Sequence, residues 1–182
     1  TPSLAESQYL LESNKSYVWP TLTGLLAQTA RNSLLDLWPG IYPSTLRDGL
    51  NEYFQRNRHT CGEGSWKYHS AQTSDDFLFN ISNGLSQVSN KNSFLRKRDD
   101  GSVIKRSPVA VLIRVPGKRA LHWITVVDYE KDPQKGCRIT FNQWDEQYEA
   151  SCQEIAQWSY NAYDSYGLPN LGYTTVQLKL PE

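Results

Sequence analysis

The stretch PVAVLIRVPGKRALHWITVVDY (residues 108–129), followed by CRITFNQW (residues 137–144), decides the fold. Residues 108–115 are a nearly continuous run of apolar and β-branched side chains, which predicts a buried strand. Residues 120–129 follow a Pro-Gly turn and predict a second strand, whose side chains alternate between two faces. A turn at 132–136 then leads into residues 137–144, which predict a third strand that runs back along the second. Together these segments predict an antiparallel sheet.

The predicted strand at 120–129 has two different faces, because successive side chains of a strand point to opposite sides. Alternation predicts one face with Leu121, Trp123, Thr125 and Val127, and the other with His122, Ile124, Val126 and Asp128. A histidine inside an apolar strand is therefore the first candidate for a functional residue.

Helices are predicted mainly in the first half of the chain. Apolar side chains at helical spacing predict helices over residues 20–37, 44–55 and 74–88. A capping box of Ser151 and Glu154 predicts a short helix to about residue 160, before a last strand at 172–180. Residues 56–71 have no helical period, and residues 89–107 are predicted to be a polar loop in which Arg96, Lys97 and Arg98 are solvated. The order predicts one α+β domain over residues 1–182, with N-terminal helices packed on a C-terminal antiparallel sheet.

Charge and hydropathy exclude two classes of partner. The chain has 19 Lys and Arg against 19 Asp and Glu, and its net charge is zero. Electrostatic capture of nucleic acid depends on clustered cations, so nucleic acid is not an expected partner. No apolar run approaches the roughly 18 residues of a membrane helix, so no membrane span is expected. We expect a monomer.

The cysteines and histidines fit no metal or cofactor site. Cys61, Cys137 and Cys152 match no zinc pattern, and His59 and His69 flank Cys61 at a spacing that fits no zinc template. No metal and no cofactor are therefore expected. Cys137 and Cys152 are either packing residues or a disulfide pair. The chain has no Met, which suggests a processed or subcloned piece, and its localisation stays unknown, with secretion or translocation favoured.

His122 is the most informative single residue. The following strand carries Asn142, Gln143 and then Asp145, so that Asn142 or a neighbour can lie across from the imidazole. A catalytic histidine needs such a partner, because the partner fixes the tautomer and the direction of the ring. The alternative is a partly buried core histidine that bonds a backbone carbonyl.

Several motifs resemble the papain-like cysteine peptidases, most closely the bacterial C39 and C39-like branch. The resemblance covers roughly residues 16–180 and is carried by the segments at 43–51, 108–113, 122–129 and 139–144. It implies a papain-like fold, with His122 and Asn142 in the positions of the catalytic histidine and its orienting residue.

The nucleophile position departs from that pattern. Pro20 and Thr21 match the end of the Cys-Gly-Pro-Thr motif that opens the first helix of the family, and this matching puts Val18 where the cysteine belongs, followed by Trp19. An isopropyl group has no ionisable proton and cannot form an acyl-enzyme. The oxyanion-hole glutamine has no near match, since Gln8 is the one glutamine upstream of Val18.

The leading hypothesis is therefore a pseudopeptidase that binds a peptide or protein partner in a vestigial cleft. The residues expected to line or border that cleft are Trp19, His122, Trp123, Asn142, Gln143, Trp144 and Asp145. One alternative is an active cysteine peptidase, amidase or deamidase that uses Cys61, or a cysteine replaced at position 18 by engineering. Another is a secreted, aromatic-rich module that binds carbohydrate or protein.

Overall fold

The computed structural model describes residues 43–56, 64–88, 93–98, 101–114, 121–134, 136–143, 146–160 and 172–181. Within these ranges the helices are α1 (Pro43–Arg56), α2 (Ser74–Ser86) and α3 (Cys152–Tyr160). The strands are β1 (Ser65–Ala71), β2 (Phe94–Lys97), β3 (Val103–Arg106), β4 (Val109–Arg114), β5 (Leu121–Asp132), β6 (Gly136–Gln143), β7 (Glu146–Ser151) and β8 (Tyr173–Lys179). The α+β class is confirmed.

Six strands form one antiparallel sheet in the order β1-β8-β4-β5-β6-β7. Its middle consists of the segments that the hydrophobic runs predict, with Leu112 of β4 opposite Trp123 of β5, and Val126 of β5 opposite Phe141 of β6. The last described strand, β8, lies between β1 and β4 and pairs with both. The predicted antiparallel sheet is therefore confirmed.

One face of the sheet, here called the α2–α3 face, carries the larger apolar core. Helices α2 and α3 cover it with Phe77, Ile81, Leu85 and Ile155, which pack on Val109, Val111, Ile113, Ile124, Val126, Ile139 and Phe141 of the strands. A Cβ atom at Gly84 would lie 2.6 Å from Cγ2 of Val109, so α2 packs directly on the sheet at this glycine. The predicted helix at 74–88 is confirmed as α2.

The opposite face, here called the α1–hairpin face, is covered by two different elements. Over β1 and β8, helix α1 contributes Leu46 to a cluster with Trp66, Val176 and Leu178. Phe54 of α1 packs edge-on against the Trp66 ring, with 5.5 Å between the ring centroids. The predicted helix at 44–55 is confirmed as α1, whereas the one at 20–37 lies outside the described residues.

Over β5, β6 and β7, the α1–hairpin face is covered by the two-stranded hairpin of β2 and β3. The prediction of a loop over residues 89–107 is wrong here, because Phe94 pairs with Arg106 and Lys97 with Val103. The hairpin contributes to none of the hydrophobic clusters among the described residues. Its polar side chains hold it on the sheet, and this polarity is the reason that the segment lacks the apolar signal of a strand.

The acidic segment after β6 forms a further strand. Glu146–Ser151 pairs with β6 along its whole length. The capping box at its end is confirmed, because Oγ of Ser151 accepts from the N–H of Glu154 at 3.2 Å. The Glu154 carboxylate accepts from the N–H of Ser151 at 2.8 Å, and α3 follows directly.

A disulfide joins Cys137 of β6 to Cys152, the first residue of α3, with 5.4 Å between the Cα atoms. This contact decides between the two alternatives for these cysteines in favour of the pair. Disulfides persist in oxidising compartments and are rare in reducing ones. None of the helices described here is long and apolar enough to cross a membrane.

We expect reduction of Cys137–Cys152 to lower the free energy of unfolding by about 3 kcal/mol, because the bond closes a loop of 15 residues. Urea unfolding with and without dithiothreitol measures this difference. The Cys137→Ala/Cys152→Ala variant should resemble the reduced protein and be insensitive to dithiothreitol. Equal urea midpoints for the oxidised and reduced protein would contradict a stabilising role.

Candidate functional site

His122 is the second residue of β5 and lies directly opposite Ile113 of β4. Ile113 is buried in the core of the α2–α3 face, and the imidazole is half-buried beside it. Burial lowers the pKa of His122 below its ordinary value. The ring is therefore neutral near pH 7, and a neutral imidazole has one nitrogen that donates a hydrogen bond and one that accepts.

Asn142 does not lie on the same face as His122. The register of the hairpin pairs Asn142 with Thr125. Thr125 and His122 are three residues apart on β5, so their side chains point to opposite faces. Asn142 is exposed, and its Oδ1 accepts a hydrogen bond from Nε2 of Gln147 on β7 at 3.1 Å. The sequence-based pairing of Asn142 with His122 is therefore not formed.

Gln143, the neighbour of Asn142, does share the face of His122. Gln143 is two residues after Phe141 on β6, so both side chains point to the same face of the sheet. Phe141 lies opposite Val126, and Val126 is on the face of His122. Continuing the register by one residue puts Gln143 opposite Ile124, next to His122 on that face. The Gln143 side chain is half-buried and has both amide donors and a carbonyl acceptor. Its amide is thus suited to orienting the imidazole.

Trp123 is a packing residue on the α1–hairpin face. It pairs with Leu112 and packs against Leu112 and Leu121, and it also contacts the cluster of Leu46 and Trp66 under α1. Its ring lies on the opposite side of the sheet from His122. The prediction that Trp123 borders the same cleft as His122 is therefore not met.

The remaining predicted site residues lie outside the described residues, namely Val18, Trp19, Cys61, Trp144 and Asp145. His59 is also outside them. His69 lies on β1, where burial and the nearby charge of Lys179 lower its pKa. In the ranges that the structure describes, no three His, Cys, Asp or Glu side chains are grouped as a metal site requires.

A charged cluster on the α1–hairpin face is the feature that sequence reasoning missed. Asp128 is 1% exposed, and its carboxylate accepts hydrogen bonds from Arg98 and Arg106 at 3.2 Å. Arg96 lies 3.9 Å from the same carboxylate. The solvated-loop interpretation of Arg96 and Arg98 is therefore wrong, since both side chains are mostly buried against the sheet.

Asp128 reaches this cluster because of a β-bulge. The pairing of β5 with β6 shifts by one residue between Val126 and Asp128, so that Asp128 lies opposite Thr140. Strict alternation along the strand predicts Asp128 on the face of His122. This prediction is wrong, because the bulge moves Asp128 to the other face. The sequence signal that could have located the cluster is a lone Asp in an apolar strand, because a buried carboxylate needs cations.

The pKa of Asp128 follows from two opposing effects. Burial alone would raise it, but hydrogen bonds from Arg98, Arg106 and the N–H of Tyr129, with the charge of Arg98, hold the pKa below its ordinary value. The carboxylate is therefore charged at neutral pH, and it anchors the hairpin of β2 and β3 on the sheet.

We expect Asp128→Asn to lower the free energy of unfolding by about 3–5 kcal/mol at pH 7, because it leaves mostly buried arginines without their carboxylate. The folded-state pKa is depressed, so this stabilisation is present above the unfolded value of about 3.9 and is lost as the pH falls through the folded-state pKa. The difference between the two proteins should therefore shrink in acid. Urea unfolding from neutral to acidic pH measures it.

The matched control is Asp48→Asn on α1, which removes an exposed carboxylate that pairs with Arg47 at 2.7 Å. An exposed pair of this kind is worth about 0–1 kcal/mol. A loss at Asp128 no larger than at Asp48 would show that the cluster does not stabilise the fold.

Comparison of the chain with family models, with curated proteins and with solved structures found no match.

Proposed function

We propose that the chain is a papain-like domain without a nucleophile, and that it binds a peptide or protein partner in its vestigial cleft. The architecture supports this proposal at a coarse level, because the described domain is α+β, two of its three described helices precede most strands of the antiparallel sheet, and the candidate histidine lies on a central strand. The finer assignment rests on the motifs around His122 and on the residue at position 18.

The observation that carries the proposal is the shared face of His122 and Gln143. A thiol peptidase needs an imidazole whose ring is held by an amide or carboxylate from a neighbouring strand. Diagonal neighbours across an antiparallel pair have Cα atoms about 7–8 Å apart, within reach of a long side chain. In this proposal Gln143, rather than Asn142, orients the ring of His122.

With valine at the nucleophile position of the motif, a neutral imidazole would have a binding role and no covalent one. The lowered pKa keeps His122 neutral near pH 7, and a neutral imidazole has one nitrogen that can donate to a peptide carbonyl and one that can accept from a peptide N–H. Without a thiol no acyl-enzyme forms. Binding is therefore the activity that the available groups support.

A catalytic role for Cys61 has less support. Ser65 begins β1 and pairs with Lys179, whereas Ala71 at the other end of β1 pairs with Tyr173. Continuing the pairing of β4 with β8 puts Ile113 opposite Tyr173. His122 pairs with Ile113, so it lies at the same level along the strand direction as Tyr173. Ser65, four residues after Cys61, is thus about 20 Å along the strand direction from the level of His122.

The proposal predicts that Val18→Cys restores a reactive thiol. In a Cys61→Ser background, we expect iodoacetamide to alkylate Cys at position 18 about tenfold faster near pH 6 than an ordinary exposed thiol, because the thiol can pass its proton to a neighbouring imidazole and the resulting imidazolium stabilises the thiolate. His122→Gln in the same background should abolish that advantage. Mass spectrometry of the alkylated chain measures both rates.

The matched control is Ser82→Cys in the same background, since Ser82 is exposed on the outer side of α2. Equal rates at positions 18 and 82, with no effect of His122→Gln, would overturn the papain-like assignment. Cleavage of fluorescent casein by the unaltered chain, lost in His122→Gln, would overturn the pseudopeptidase assignment and favour an active enzyme.

A further inference from the structure

The six-stranded sheet has an edge at β7. In the order β1-β8-β4-β5-β6-β7, this strand pairs along its whole length with β6 and with no other strand that the structure describes. Residues 146–149 are exposed. An edge strand presents a row of backbone N–H and C=O groups to which a further strand can bind.

The outward-facing backbone groups of β7 belong to Gln147 and Glu149. Ser151 lies opposite Arg138, but its N–H donates to the Glu154 carboxylate at 2.8 Å instead of to β6. Opposite residues of an antiparallel ladder alternate between pairs that exchange two hydrogen bonds and pairs that exchange none. Glu149 and Gln147 precede Ser151 by two and four residues, so their N–H and C=O groups also point away from β6.

The opposite edge of the sheet gives the same result. Asn51 of α1 accepts from the N–H of Trp66 at 2.7 Å and donates to its C=O at 3.0 Å, so both groups of Trp66 point away from β8. Followed through the registers from β1 to β7, this alternation again turns Gln147 and Glu149 outward. Asn51 therefore covers β1 at Trp66, whereas no hydrogen bond from the described part of the chain reaches the outward groups of β7.

The side chains along β7 are acidic on both faces of the sheet. Residues 145–154 include four acidic residues and no basic one. Glu146 lies opposite Gln143 on the α2–α3 face, and Glu149, three residues later, lies on the α1–hairpin face. Arg138 approaches Glu149 at 3.4 Å, and the Glu146 carboxylate accepts from the hydroxyl of Tyr148. A strand added at this edge would therefore meet a carboxylate on each face.

We propose that β7 binds an extended segment of a partner protein, rich in lysine or arginine, as a seventh strand of the sheet. The outward groups of Gln147 and Glu149 supply the ladder, as in other cases of strand addition to an exposed edge. A cation opposite Tyr148 contacts a ring that is 40% exposed and stacks on Phe141, and it reaches Glu146 on the diagonal.

The acidic segment argues against a second copy of the chain as the occupant, because self-pairing would bring two copies of the same carboxylates together. The β7 edge is also separate from the cleft proposed above. It lies two strands away from β5, so binding there depends neither on His122 nor on the residue at position 18.

The test adds a capped peptide of alternating Lys and Thr to the folded, ¹⁵N-labelled chain and follows amide hydrogen exchange. At a peptide concentration about ten times the Kd, exchange at the N–H groups of Gln147 and Glu149 should slow about tenfold, because they then exchange mainly from the free protein. The N–H of Tyr148 points to β6 and should slow less. A matched peptide of alternating Glu and Thr should have no effect.

Glu149→Pro should abolish binding, because proline removes an outward donor and none of the hydrogen bonds to β6. Glu149→Gln is the matched control, since it removes the charge and keeps the donor, and it should weaken binding only in part. Should Glu149→Pro unfold, exchange in the unaltered chain still decides.

Two results in the unaltered chain would overturn the proposal: exchange at Gln147 and Glu149 that is already slow without peptide, or exchange that the Lys peptide leaves unchanged. Equal slowing by the Glu peptide would overturn the assigned charge of the partner. Slowing that follows the protein concentration without any peptide would replace the basic partner by a second copy of the chain.

Discussion

The pairing of β5 with β6 is the constraint on which the rest of the structure depends. Thr125 lies opposite Asn142 and Val126 opposite Phe141, and a bulge then shifts the register so that Asp128 lies opposite Thr140. Because side chains alternate along a strand, a shift of one residue transfers every following side chain to the other face. The bulge thereby leaves the α2–α3 face apolar and delivers a carboxylate to the other face.

The two faces consequently hold different chemistry. The α2–α3 face buries a continuous apolar core that extends to Ile113, and the half-buried His122 lies at its end beside the position of Gln143. On the α1–hairpin face, Asp128 gathers Arg96, Arg98 and Arg106, and these contacts attach a hairpin that contributes to no described hydrophobic cluster. Removing the carboxylate would therefore affect the attachment of a whole supersecondary element.

Sequence patterns predicted most of the elements that bury apolar side chains, although not β1 with Trp66 and Ala71, and failed where polar contacts determine structure. The runs of β4, β5 and β6 and the apolar stripe of α2 are local signals, and all were found. The strands β2 and β3 are held by arginines whose partner, Asp128, is distant in sequence, so no local pattern indicates them. The bulge likewise leaves no periodic signal. The bulge moved Asp128 to the other face. Whether Asn142 or Gln143 shares the face of His122 depends on the register of the hairpin, and the composition of the turn at 132–136 does not specify that register.

The register of β5 and β6 is measured most directly by cross-strand NOEs between backbone protons in a ¹⁵N,¹³C-labelled sample. The predicted result is contact between Thr125 and Asn142, between Val126 and Phe141, and between Asp128 and Thr140, with Val127 unpaired. Contact between Val127 and Thr140 would instead mean an unbroken ladder. In that case Asp128 would return to the face of His122, and both the arginine cluster and its separation from His122 would be wrong.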